Sequence, residues 1–214
     1  MRKLLSSKWT KVFVFLLCLV PLGALVWRSL HGHLGANPVE ALQHDTGDWT
    51  LNFLVFCLAV TPLRKVLNLP DLIRFRRMLG LFAYFYLCMH FLTYLGPDQS
   101  FSLASMAKDV FKRPFITVGF AALLLLTPLA VTSTTGWIRR LGGKRWQQLH
   151  RAIYLAAILG VIHYYWLVKS DVRKPLLYAA LVAILLLWRL WNSFSKRGAQ
   201  APARAAAPPA SVNS

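Results

Sequence analysis

Apolar residues fall into six runs separated by short polar segments, about Lys11–Leu30, Thr46–Val66, Met78–Gly96, Pro114–Thr132, Trp146–Val168 and Pro175–Phe194. Each run is close to the roughly 20 residues that an α-helix needs to cross the hydrocarbon core of a bilayer. The pattern predicts an all-α membrane protein built as a six-helix transmembrane bundle. The first run follows Arg2, Lys3, Lys8 and Lys11, as a secretory signal would. It stays apolar through Val26 and Trp27 with no A-x-A site after it, so it reads as a spanning helix. From Gly198 to Ser214 the chain is rich in Ala and Pro without an amphipathic pattern, the composition of a disordered tail. The expected organisation is a short N-terminal segment over 1–10, the helical domain over 11–197 and the tail over 198–214.

The polar segments set an orientation. Basic residues gather at the N-terminus, in the second loop (Arg64, Lys65, Arg74, Arg76, Arg77), in the fourth (Arg139, Arg140, Lys144, Arg145) and in the tail (Lys196, Arg197, Arg204). The other loops carry Glu40, Asp45, Asp48, Asp98, Asp109 and Asp171. The Lys/Arg bias predicts both termini in the cytoplasm of a multi-pass protein of the bacterial inner membrane. Trp27, Trp49, Trp137, Trp146, Trp166 and Trp191 fall near helix ends, as interfacial anchors do. Thr61-Pro62-Leu63 and Thr127-Pro128-Leu129 end the second and fourth runs alike, which hints at two related hairpins.

Composition narrows the class further. The chain is 57% hydrophobic, with 25 Lys and Arg against 7 acids and a net charge of +18. Those cations sit between apolar runs, not along one face, so they read as topology signals beside anionic lipid and argue against nucleic-acid binding. Cys18, Cys57 and Cys88 lie inside apolar runs without C-x-x-C spacing, as small packing residues.

Two histidines stand within the spans, where an ionisable residue costs a few kcal/mol and is a functional candidate by default. His90 lies roughly 18 Å from the basic start of the third helix and His163 roughly 21–25 Å from that of the fifth, at 1.5 Å per residue. Both helices run in the same direction, so the imidazoles reach matched depth in the outer half of the membrane. Two imidazoles facing each other at one level suit the axial positions of a b-type haem, and filling both favours electron transfer. Phe82, Phe85, Tyr86, Phe91, Tyr94, Tyr154, Tyr164 and Tyr165 supply aromatic surface, with Gly80 and Gly160 as points of close approach.

His150 precedes His163 by roughly 20 Å of helix, turned by some 220° in ideal geometry, so distortion is needed to aim both at one partner. The same offset back from His90 lands on Arg77, which suits a propionate or phosphate. The sequence leaves three roles open for His150: ligand of a second, inner haem, partner of a propionate or flavin phosphate, or interfacial residue. His31, His33 and His44 lie beside Glu40, Asp45 and Asp48 and read mainly as polar surface.

Six helices with His90 in the third and His150 and His163 in the fifth resemble the ferric reductase and NADPH oxidase transmembrane domain family. Within it the chain is most similar to haem-binding membrane subunits of bacterial periplasmic methionine sulfoxide reductase systems. Thr61-Pro62-Leu63-Arg64, Arg76-Arg77-Met78-Leu79-Gly80 and Trp146-Gln147-Gln148-Leu149-His150-Arg151 carry the likeness. The resemblance implies haem b, an FMN, electrons from the quinone pool or a cytoplasmic flavin reductase, and a periplasmic molybdopterin-containing catalytic subunit that repairs oxidised envelope proteins. Arg77 stands where eukaryotic members carry an inner histidine.

No G-x-G-x-x-G joins a strand to a helix, so the chain reads as an electron-transfer subunit without its own substrate-reducing centre. The alternatives are a transmembrane ferric or metal reductase and a non-redox transporter or assembly subunit, the latter predicting discontinuous helices around a charged path.

Overall fold

The computed structural model describes residues 7–168 and 170–205, backbone only from 196 onward, and every regular element among them is helical. Arg2 and Lys3 of the N-terminal basic cluster, and the end of the tail from 206, lie outside the described residues. In chain order the helices are α1 (Lys8–Leu30), α2 (Pro38–Val66), α3 (Ile73–Thr93), α4 (Leu103–Lys112), α5 (Pro114–Val131), α6 (Thr135–Leu141), α7 (Gly143–His150), α8 (Ala152–Leu167) and α9 (Arg173–Ala205). Five are long and apolar enough to cross a membrane: α1, α2, α5, the run Pro70–Asp98 containing α3, and α9 over Arg173–Ser195.

The expected fifth span is divided. At Arg151 the backbone tightens, Arg151 N–H donating to the Gln148 carbonyl (3.1 Å) and Tyr154 N–H to that of Arg151 (3.1 Å), and α7 passes into α8. The preceding turn is made by Gly142 (φ 72°, ψ 151°), a conformation open essentially only to glycine. What remains apolar, Ala152–Leu167, is 16 residues long.

Local signals explain other boundaries. Pro38 opens α2, and the Asn37 side chain caps it by accepting from Glu40 N–H (3.3 Å), so the helix starts well before Thr46. Ser102 caps α4 in the same way through Ser105 N–H (3.2 Å), an amphipathic helix in a loop expected to be irregular. The backbone of α9 is helical through Ala205, into the Ala-rich stretch read as a tail, in keeping with the high helix propensity of alanine.

The core joins α1, α2 and α3 through stacked rings: Phe53 lies 5.2 Å from Tyr86 and 5.6 Å from Phe82 between ring centres. The Tyr86 hydroxyl inserts into the α1 ladder, accepting from Leu22 N–H (3.0 Å) and donating to the Cys18 carbonyl (3.0 Å), a pair that helical geometry would otherwise bond directly. Trp49 packs against Tyr86 and Phe53 in this core, not at an interface, because α2 carries it inside the bundle. Two closely packed helix pairs, α2 with α3 and α5 with α8, form the rest of the frame. Phe13, Leu16, Val20, Ile184, Leu187 and Phe194 turn outward on α1 and α9. Such a continuous apolar surface is stable against lipid tails rather than water.

Candidate functional site

The start of α2, the end of α3, the start of α5 and the end of α8 enclose a cavity of about 360 Å³. His90 and His163 face each other in it, ring centres 6.1 Å apart and planes at 81°. Each ring is anchored by a main-chain carbonyl of a neighbouring helix. His90 Nδ1 lies 3.0 Å from the Gln43 carbonyl and 3.4 Å from Thr46 Oγ1, and His163 Nδ1 lies 2.7 Å from the Phe115 carbonyl. A carbonyl only accepts, so each Nδ1 carries the proton and each Nε2 keeps a free lone pair. That tautomer is the one in which Nε2 binds a metal while Nδ1–H fixes the ring.

Glycines admit the rings. A Cβ on Gly119 would lie 2.6 Å from His163 Nδ1, and one on Gly47 would lie 3.3 Å from His90 Nδ1. The two halves of the site repeat a single plan. In each, the first helix presents a carbonyl (Gln43, Phe115) and, four residues on, a glycine (Gly47, Gly119), and the second helix supplies the histidine. The Thr-Pro-Leu strings end the same two first helices. Sequence reasoning missed both glycines and both carbonyls, since nothing local marks which residue lies opposite a histidine.

The donor set fits a haem. Two metal–nitrogen bonds of about 2.0 Å, with about 1.1 Å from nitrogen to ring centre, put axial imidazoles about 6 Å apart. Leu51, Leu54, Leu87, Leu123 and Leu126 wall the cavity with hydrocarbon, and Phe91, Tyr94, Tyr164 and Gly160 line it as the sequence suggested. Phe115 and Phe120 join them. The other aromatics lie elsewhere: Phe82 and Tyr86 are used in packing against α1, Phe85 and Tyr165 are exposed, and Tyr154 serves a different cavity.

The mouth is polar. Glu40, His44, Asp48, Asp98 and Arg113 line it, so His44 belongs to the cavity rim rather than to a loop. Beside them Asp109 of α4 accepts from Gln99 Nε2 (3.1 Å) and Tyr94 Oη (3.4 Å) and pairs with Arg113 (3.5 Å). Thr117 Oγ1 donates to the Val110 carbonyl and ties α4 to α5. His31 is apart from this site, stacked on Trp27 at 3.8 Å.

At the opposite, basic end a second cavity of about 550 Å³ contains Arg77, His150 and Gly80. Leu126 lines both cavities and separates them. The break at Arg151 supplies the distortion that His150 needed. Its ring stacks on Trp146 (3.9 Å between centres), with Nε2 3.1 Å from Thr132 Oγ1.

Comparison with known proteins places the chain. Residues 46–161 match the model of the ferric reductase like transmembrane component. The protein-methionine-sulfoxide reductase heme-binding subunit MsrQ of Herminiimonas arsenicoxydans is 52% identical over 189 residues, covering 87% of each chain. Those of Polaromonas naphthalenivorans (50%, 89% of this chain and 90% of the relative) and Caulobacter vibrioides (49%, 84% and 85%) are similar. No solved structure matches. With apolar helices long enough to span, a matched family model over more than half its length and relatives at half identity, this multi-pass membrane protein belongs to the ferric reductase-like transmembrane family, in its MsrQ branch.

Proposed function

We propose that this chain is the haem-binding electron-transfer subunit of a methionine sulfoxide reductase system in the bacterial inner membrane. The observation that carries the reading is the pair His90 and His163, 6.1 Å apart with both Nδ1 atoms committed to carbonyls. The names of the relatives agree, since each is called a heme-binding subunit of a protein-methionine-sulfoxide reductase. In this reading the termini are cytoplasmic, the bundle has six spans with the fifth divided at Arg151, and the histidine cavity lies toward the periplasm.

When bound, haem b supplies a one-electron carrier with both axial positions filled, suited to electron transfer rather than oxygen chemistry. The chain's own residues do the rest. Nε2 of His90 and of His163 hold the iron, while Gln43 and Phe115 fix tautomer and ring orientation. The leucine walls exclude water, which lowers the local dielectric and tunes the potential. Electrons enter on the basic side from a quinol or a flavin reductase, and leave at the mouth beside α4 to a molybdopterin-containing catalytic subunit that reduces the sulfoxide. Arg77 and His150 mark the entry level, where an FMN or a second haem would sit.

The test is an absorption spectrum of protein made with ample haem, with dithionite difference and pyridine haemochrome. A Soret band and a low-spin signal are expected, lost in His90→Ala and in His163→Ala and kept in His150→Ala. Absence of the band, or unchanged spectra in the first two variants, would overturn the reading. Reoxidation of the reduced protein on adding the catalytic subunit and methionine sulfoxide tests the acceptor. Equally fast reoxidation by a ferric chelate alone would favour a metal reductase.

A further inference from the structure

The basic-end cavity has a chemistry of its own. Arg76, Arg77, Arg151 and Arg189 line it, and no carboxylate does. Arg76 and Arg189 are half-buried, Arg77 and Arg151 sit at the rim, and none of the four makes an ion pair among the described residues. Arg189 comes from the apolar helix α9, about 24 Å along it from Arg173, and its guanidinium lies 4.7 Å from the centre of the Tyr154 ring. Guanidinium groups gathered without a counter-charge in a medium of lowered dielectric repel one another. Such an arrangement is stable only with an anion between them.

The anion is not indicated to be a second bis-imidazole haem. His150 is the only imidazole lining the cavity, and no methionine lines it. The Thr132 hydroxyl donates to the Pro128 carbonyl (2.6 Å), so at 3.1 Å His150 Nε2 must be the donor to Thr132 Oγ1. The nitrogen that His90 and His163 hold free is therefore occupied in His150. Planar guanidinium forks match the paired oxygens of a phosphate, and several together match its double charge.

We propose that this cavity is a phosphate-binding site, with Arg76, Arg77, Arg151 and Arg189 holding the phosphate group of its ligand. Two sources carry that group here: the phosphate monoester of an aromatic cofactor, whose rings Tyr84, Trp146 and Tyr154 would flank, and the headgroup of a membrane phospholipid. The site is separate from the histidine pair, so the low-spin signal of His90 and His163 reports on the fold whichever way this test falls.

The experiment uses the full chain loaded with haem. In phosphatidylcholine nanodiscs, FMN and riboflavin are titrated by quenching of flavin fluorescence; in detergent, retained phosphatidylglycerol is compared with phosphatidylcholine by native mass spectrometry. A phosphate site predicts that FMN binds at least about tenfold more tightly than riboflavin, or that the anionic lipid is selectively retained. In whichever arm is positive, Arg189→Gln and Arg151→Gln lower binding about tenfold, Arg189→Lys restores part of it, and Arg139→Gln, an equal charge loss away from the cavity, leaves it unchanged. Preference in neither arm overturns the proposal, as does equal loss in Arg139→Gln. A second haem per chain that disappears in Arg189→Gln would also overturn it, making the cavity a haem site.

Discussion

The two cavities meet at one leucine and hold the same residue type in opposite states. At the acidic end, His90 and His163 each spend Nδ1 on a helix carbonyl and present Nε2. At the basic end, His150 spends Nε2 on Thr132 and lies flat on Trp146. Histidine content alone would suggest three similar ligands. The partner of each ring decides otherwise, because a neutral imidazole has one donor and one acceptor, and fixing either nitrogen assigns the other. The surroundings differ to match: hydrocarbon around the pair, and uncompensated guanidinium groups around the single ring.

Several substitutions sharpen this contrast. The largest effect is expected from Gly119→Ala, whose Cβ would stand 2.6 Å from His163 Nδ1 on a helix backbone that has little freedom to move. Haem content measured by pyridine haemochrome should fall about tenfold. Gly47→Ala meets His90 at 3.3 Å, so a ring shift of a few tenths of an ångström relieves it. Haem should be retained there, with a displaced midpoint potential in a redox titration. Equal loss in both variants would show that the asymmetry between the halves is unimportant.

Next comes the shared wall. Leu126→Ala should join the two cavities and lower stability by about 2–4 kcal/mol, read as a drop in thermal midpoint while the low-spin spectrum persists. The smallest effect is expected from Thr132→Val, which removes the acceptor of His150 and leaves the histidine pair untouched. The haem content should stay at its wild-type value. A gain of haem would mean that this single hydrogen bond is what keeps His150 from iron.

Much of this was legible along the chain. Helical rise carries the depth of His90 and His163 directly, because within a span each residue adds a fixed 1.5 Å whatever surrounds it. The Thr-Pro-Leu strings announced two like hairpins, and the structure shows the likeness extending to a carbonyl and a glycine four residues later in each. Other features carried a signal that went unread. Leu103, Met106, Val110 and Phe111 have helical spacing that foretells α4, and Arg189 is an ionisable residue inside an apolar run. The break at Arg151 is harder, since Trp146–Val168 reads as one continuous run and Gly142–Gly143 only hints at a turn nearby.

By itself the sequence determined the spans, their alternation and the level of each histidine, since these follow from hydrophobicity and helix geometry within one segment at a time. Only the tertiary structure decided that Gln43 and Phe115 fix the two tautomers, that Gly47 and Gly119 make room for the rings, and that Arg189 joins Arg76, Arg77 and Arg151 around one cavity. Those outcomes depend on which faces of different helices meet. In a membrane that choice rests on close packing and satisfied polar groups rather than on hydrophobic burial, and such contacts leave no period along the chain.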